Sequence, residues 1–88
     1  MPYIKKQDRE QYTELLNNLA AKVPQDRTMR PGHMNYIVSK LIDLVYGKEM
    51  RYADYNEVHG MLHCADLEFS RRRTSPYEDL KIEQEGDI

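Results

Sequence analysis

Apolar side chains recur at helical spacing in four stretches of the chain, separated by clusters of proline, glycine and charge. The first stretch carries Tyr12, Leu15, Leu16, Leu19, Ala20 and Val23 on one stripe. Asp8 with Gln11 three residues later has the form of a capping box, so a helix is expected over residues 8–23, stopped by Pro24. Residues 24–32 hold two prolines, a glycine and three charges without periodicity, and read as a loop long enough to be functional. The second stretch, residues 33–46, has Met34, Ile37, Val38, Leu41, Ile42, Leu44 and Val45 on a wide apolar face. Polar residues return at helical intervals (Asn35, Ser39, Lys40, Asp43), so it too reads as a helix, ended by Gly47. With so few polar positions, it is expected to be the central helix, covered on more than one side.

The third stretch repeats Tyr55, Val58, Leu62, Ala65 and Phe69 at steps of three and four and predicts a helix over residues 53–73. Gly60 lies inside it at a cost of about 1 kcal/mol relative to alanine, which suggests a close helix crossing or a bend. Ser75-Pro76-Tyr77-Glu78 then places a capping serine, proline at the first helical position and glutamate at the third. That predicts a separate short helix over residues 76–84, ending at Gly86, with an acidic tail over residues 83–88. The expected fold is all-α: one domain over residues 1–88, a small helical bundle of three main helices plus a short C-terminal helix.

Size sharpens this picture. A chain of 88 residues and 10.5 kDa should bury roughly 64% of its extended surface, a thin core for one domain. Self-association through the wide face of the second helix is the expected remedy, making a homo-oligomer. A single cysteine, Cys64, excludes an intrachain disulfide framework and suits a reducing compartment, and its apolar neighbours mark it as an inert core residue. No apolar run reaches the roughly 20 residues of a membrane span, and the first residues lack a signal-peptide centre, so the expected location is cytoplasmic.

Tyrosine is the compositional oddity, with seven residues against one phenylalanine. A tyrosine favours sites with an apolar body and a wet tip, either at the edge of the core or in an interface or ligand groove.

Candidate chemistry is sparse. His59, His63 and Asp66 fall at spacings that place two imidazoles and a carboxylate on one side of a helix, as a zinc site would need. Glycine at position 60 removes the base that the zinc-protease helix carries there, so these are weak metal candidates and no cofactor is expected. Arg71, Arg72 and Arg73 complement the negative end of the third helix. With Arg30, Tyr52 and Tyr77 they also form the candidate ligand- or partner-binding set, suited to a phosphate group such as a nucleotide's. Duplex nucleic acid suits the chain less, because 13 basic side chains are balanced by 15 acidic ones, a formal net charge of −2. From residue 75 onward Glu78, Asp79, Glu83, Glu85 and Asp87 face Lys81 alone, a net −4 that leaves +2 on the first 74 residues. The tail is expected to fold onto the arginines of its own chain or of a partner. No phosphate loop, nucleophile elbow or paired-cysteine motif occurs, so no enzyme activity is expected.

Pro2-Tyr3-Ile4-Lys5-Lys6 with Asp8-Arg9, Arg30-Pro31-Gly32 leading to Asn35-Tyr36-Ile37, Leu67-Glu68-Phe69 with Arg71-Arg72, and Pro76-Tyr77-Glu78-Asp79 with Lys81-Ile82 and Gly86-Asp87 form a recognisable set. In these the chain resembles a group of short uncharacterised proteins of bacteriophages and bacteria, the tail motif being the most distinctive part. The resemblance implies a phage or prophage context and no activity. The expected role is therefore a non-enzymatic accessory protein, acting in the cytoplasm of a bacterial host by binding a host or phage protein. The alternatives are an oligomer that captures a nucleotide or other phosphate-bearing ligand at a subunit interface, and nucleic-acid binding through Arg71–Arg73.

Overall fold

The computed structural model describes residues 3–88; Met1, and Pro2 with which the resemblance motif begins, lie outside the described residues. The chain is all-α, with no strand among the described residues. Its contacts divide it into two units, Met1–Glu49 and Met50–Ile88.

In the first unit a 3-10 turn, Lys6–Asp8, leads into α1, Glu10–Lys22. Asp8 lies in that turn and its side chain caps nothing; Arg9 takes the N-cap position without a side-chain cap bond. Gln11 does reach back, but its Nε2 donates to the Asp8 carbonyl at 3.0 Å. The entry is tied instead by the Arg9 guanidinium, whose Nε and Nη2 donate to the Ile4 carbonyl at 3.1 and 2.9 Å. At the other end Val23 is extended (φ −77°, ψ 126°), the conformation that the ring of Pro24 imposes on the residue before it.

α2 spans Arg30–Tyr46, three residues earlier than the sequence pattern suggests. Pro31 and Gly32 belong to its first turn, where proline needs no N–H and its fixed φ suits a helix, so the expected loop is shorter. Asp26 prepares this start: its carbonyl accepts the N–H groups of Met29 and Arg30 at 3.1 and 2.9 Å. Gly47 ends the helix as expected, at φ 76°, with its N–H on the Asp43 carbonyl at 2.9 Å.

The second unit is one helical path. α3, Tyr52–Phe69, runs through a π turn, Ser70–Thr74, into α4, Ser75–Glu85. The N-terminus of α3 is held by Asp54, whose Oδ2 accepts the Arg51 N–H at 2.9 Å. The expected break at Ser75 is absent. Thr74 and Ser75 are both right-handed helical, no side chain caps α4, and the N–H of Ser75 donates to the Ser70 carbonyl five residues back. Pro76 explains the wide turn. Its ring crowds the carbonyl four residues earlier and it brings no N–H, and one extra residue in the preceding turn relieves the crowding without ending the helix. Gly86, at φ 93°, stops α4 with its N–H on the Ile82 carbonyl. Residues 83–85 of the expected acidic tail are thus the last turn of α4.

Packing is sparser than the pattern implies. No described residue is fully buried; Leu19, Val23, Ile37, Val38 and Ile42 reach half-burial in the first unit. α2 is not covered on more than one side: Tyr36, Leu44 and Val45 remain 67%, 70% and 74% exposed. Two apolar grooves flank the α1–α2 pair. One, about 250 Å³, is lined by Leu16, Val23, Met34 and Val38 among others, and the other, about 210 Å³, by Leu19, Tyr36, Ile37, Lys40, Leu41 and Leu44. A Cβ on Gly60 would meet nothing within 4 Å, so no close crossing accounts for that glycine.

Candidate functional site

The arginines stand on the π turn, which presents three long cationic side chains within a single widened turn. Glu68, one turn earlier on α3, takes two of them. Its Oε2 accepts from Arg71 Nη2 at 3.0 Å and from Arg72 Nε at 2.8 Å. The Glu68 side chain is only 22% exposed while those of Arg71 and Arg72 are 65% and 62% exposed, so Glu68 anchors the pair from the more sheltered position. Charge-assisted bonds of this kind fix the forks more firmly than they add stability, since exposed pairs contribute about 0.2–1 kcal/mol each. Spacing alone signals the contact, because Glu68 lies three and four residues before its partners.

Arg73 has no side-chain partner among the described residues and is exposed. Tyr77, four residues on and 56% exposed, lies beneath the Lys81 ammonium, 5.8 Å from the ring centroid, and Lys81 in turn stands 4.0 Å from Glu85. Arg73, Tyr77 and Lys81 therefore recur at intervals of four across the junction, a cation, an aromatic ring and a second cation. Tyr52, the first residue of α3, is 79% exposed. Arg30 belongs to the first unit, where its Nη1 donates to Gln25 Oε1 at 3.4 Å.

The histidines do not gather further donors. His59, His63 and Asp66 lie on α3, and no group of three His, Cys, Asp or Glu side chains able to hold a metal forms among the described residues. Cys64 is half-buried rather than a core residue. Tyrosines are more exposed than edge-of-core packing requires: Tyr3, Tyr12, Tyr36, Tyr52, Tyr55 and Tyr77 range from 47% to 79%, and only Tyr46 is half-buried.

A carboxyl whose titration is displaced lies in the loop before α2. Asp26 Oδ1 accepts the backbone N–H of Thr28 at 2.9 Å and its hydroxyl at 2.8 Å. These bonds, the backbone one foremost, hold the Asp26 carboxyl below its ordinary value. This is an Asx turn that shapes the loop.

No helix among the described residues is long and apolar enough to cross a membrane. No curated protein and no solved structure matches the chain. A family profile does match, over residues 1–88, and by it the chain belongs to the family described as a domain of unknown function, DUF6899.

Proposed function

We propose that the chain is a non-enzymatic accessory protein, of phage or prophage origin, that acts in the bacterial cytoplasm by binding another protein. The observation that carries this reading is the surface of the second unit. Tyr52, Phe69 and Tyr77 are 79%, 63% and 56% exposed on the same helical path as three arginines. Tyrosine, phenylalanine and arginine are the residue types that protein interfaces concentrate. Glu68 supports the reading further by holding Arg71 and Arg72 in fixed forks, which lowers the ordering cost a partner must meet.

The test is co-purification of tagged full-length protein from host lysate, comparing wild type with Phe69→Ala/Tyr77→Ala and with Arg73→Glu. A partner retained by wild type and lost from both variants, with helix content unchanged by circular dichroism, is the expected result. Recovery of the bait alone counts against the reading.

Arg73 favours a second reading. An unpartnered guanidinium four residues from Tyr77 suits a phosphate-bearing ligand such as a nucleotide. A nucleotide panel read by thermal shift tests it, since a ligand at 100 times its dissociation constant stabilises by about 2.7 kcal/mol. No shift with any nucleotide removes it.

A further inference from the structure

The π turn does more than make room for Pro76. Upstream of it, Tyr55, Val58, Leu62, Ala65 and Phe69 follow one another at steps of three, four, three and four, the spacing of a coiled-coil seam. Downstream, Tyr77 is eight residues beyond Phe69, and in an uninterrupted α-helix eight steps of about 100° would set it roughly 80° off that seam. One extra residue in the π turn lets eight residues make the advance that seven make in an α-helix, which returns Tyr77 to the line of Phe69. Leu80, three residues on, takes the next seam position. Arg73, four residues after Phe69 and four before Tyr77, falls between them on the same line. Glu68, the residue before Phe69, lies along one edge of the seam with Arg72, whose Nε is 2.8 Å from Glu68 Oε2. The seam is open: Tyr55 is 49% exposed, Phe69 63%, Tyr77 56% and Leu80 49%. α3, the π turn and α4 occupy Tyr52–Glu85 of a unit that spans Met50–Ile88, so no second element of that unit covers it.

From this seam we infer that the second unit pairs with a second copy of itself, two helical paths running antiparallel along the line from Tyr55 to Leu80. The inference rests on the partner-binding reading in one respect, that Phe69 and Tyr77 belong to an interface, and it names the molecule that meets them. The seam is complementary to its own reverse. With the two-fold axis near residue 67, Ala65 of one copy faces Phe69 of the other, and Val58 faces Tyr77, so small side chains meet large ones. Tyr55 faces Leu80, and Leu62 faces Arg73. A parallel pair would stack Phe69 on Phe69, leave Ala65 opposite Ala65 and set Arg73 against Arg73. Charge chooses the same direction. In the antiparallel pair the stem of Arg73 lies over Leu62 of the other copy. Helical side chains lean toward their own N-terminus, so Arg73 and Glu68 of the other copy lean toward one another along the same edge. The interface is isologous, so this contact forms twice. A charged contact at an apolar seam fixes register and direction more than it adds affinity.

Disulfide trapping in the full chain tests both the pairing and its direction. Cys64→Ser is the background, so that the introduced thiols are the only ones. Val58→Cys and Tyr77→Cys proteins, mixed and mildly oxidised, cross-link to one another, while neither forms a disulfide-linked dimer alone. Self-linkage of each single variant would show parallel pairing, and no linkage in the mixture would show none; either result overturns the inference. Analytical ultracentrifugation gives a second measurement, with circular dichroism to show that helix content holds. Wild type sediments as a dimer, and Phe69→Glu weakens it about tenfold or more. Leu67→Glu leaves the dimer unchanged, because Leu67, itself 52% exposed, stands about 160° around α3 from Phe69. A wild type that stays monomeric, or Leu67→Glu as damaging as Phe69→Glu, overturns the inference as well. The partner-binding reading fails separately. A dimer that returns alone from host lysate keeps the inference and removes that reading, and a monomer that captures a host protein does the reverse.

Discussion

Asp26 accepts two bonds from Thr28 through a single carboxylate oxygen, and its carbonyl starts α2 by accepting from Met29 and Arg30. The carboxyl bonds favour the ionised form, so the folded-state pKa is depressed below the unfolded one. The stability tied to this shift is fully present above the unfolded value and is lost as pH falls through the folded value. Asp26→Ala should therefore lower the melting temperature near neutral pH, and the gap to wild type should narrow as pH falls through the depressed folded-state pKa of Asp26. Melting curves of both proteins across that range check it, and a gap independent of pH would assign the effect to the turn's shape alone. The Asx turn was not foreseen from the sequence, because Asp26 and Thr28 sit in a stretch whose prolines and glycine suggested irregular chain through Gly32. Pro31 is compatible with both a loop and the first turn of a helix, and only the carbonyl of Asp26 decides between them.

At the scale of elements, the three long helices were legible because their apolar and polar positions return at the helical period, which in α2 outweighs the β-branched Ile37, Val38, Ile42 and Val45. The junction between α3 and α4 was not. Serine, proline and glutamate in the order Ser75-Pro76-Tyr77-Glu78 carry the same local signature whether a helix begins at Ser75 or continues through it. The difference lies in the preceding turn, where one extra residue makes room for the ring of Pro76. Two substitutions separate the alternatives. As an N-cap, Ser75 would lose about 1 kcal/mol on change to alanine, whereas inside a continuous helix Ser75→Ala should be neutral or stabilising by up to about 0.5 kcal/mol. Pro76→Ala should stabilise by about 1 kcal/mol, well short of the roughly 3 kcal/mol that proline costs in an unrelieved helix interior. Urea unfolding of the two variants measures both. The arginine cluster was legible in position but not in partnership: attention to the helix dipole left Glu68 out, although its spacing from Arg71 and Arg72 fits the ordinary rule for helical ion pairs.

Across the whole chain, size pointed to a thin core, but no described residue is fully buried, and the wide apolar face of α2, expected to be covered, is open. Sequence period distinguishes the apolar side of a helix from its polar side; it does not say which molecule supplies the cover. If the chain completes itself with a second copy, its melting temperature should rise with protein concentration, whereas a self-sufficient monomer melts at a fixed temperature. Melting over a hundredfold dilution series gives the answer. The absence of any fully buried side chain among the described residues also bears on the protein's life in the cell. Helices with so little buried surface should open locally at low free-energy cost and be cut by proteases in the opened forms, so an uncovered copy should turn over quickly and a covered one slowly. Its steady-state amount would then follow the supply of whatever covers it: made in excess it is cleared, made in proportion it persists.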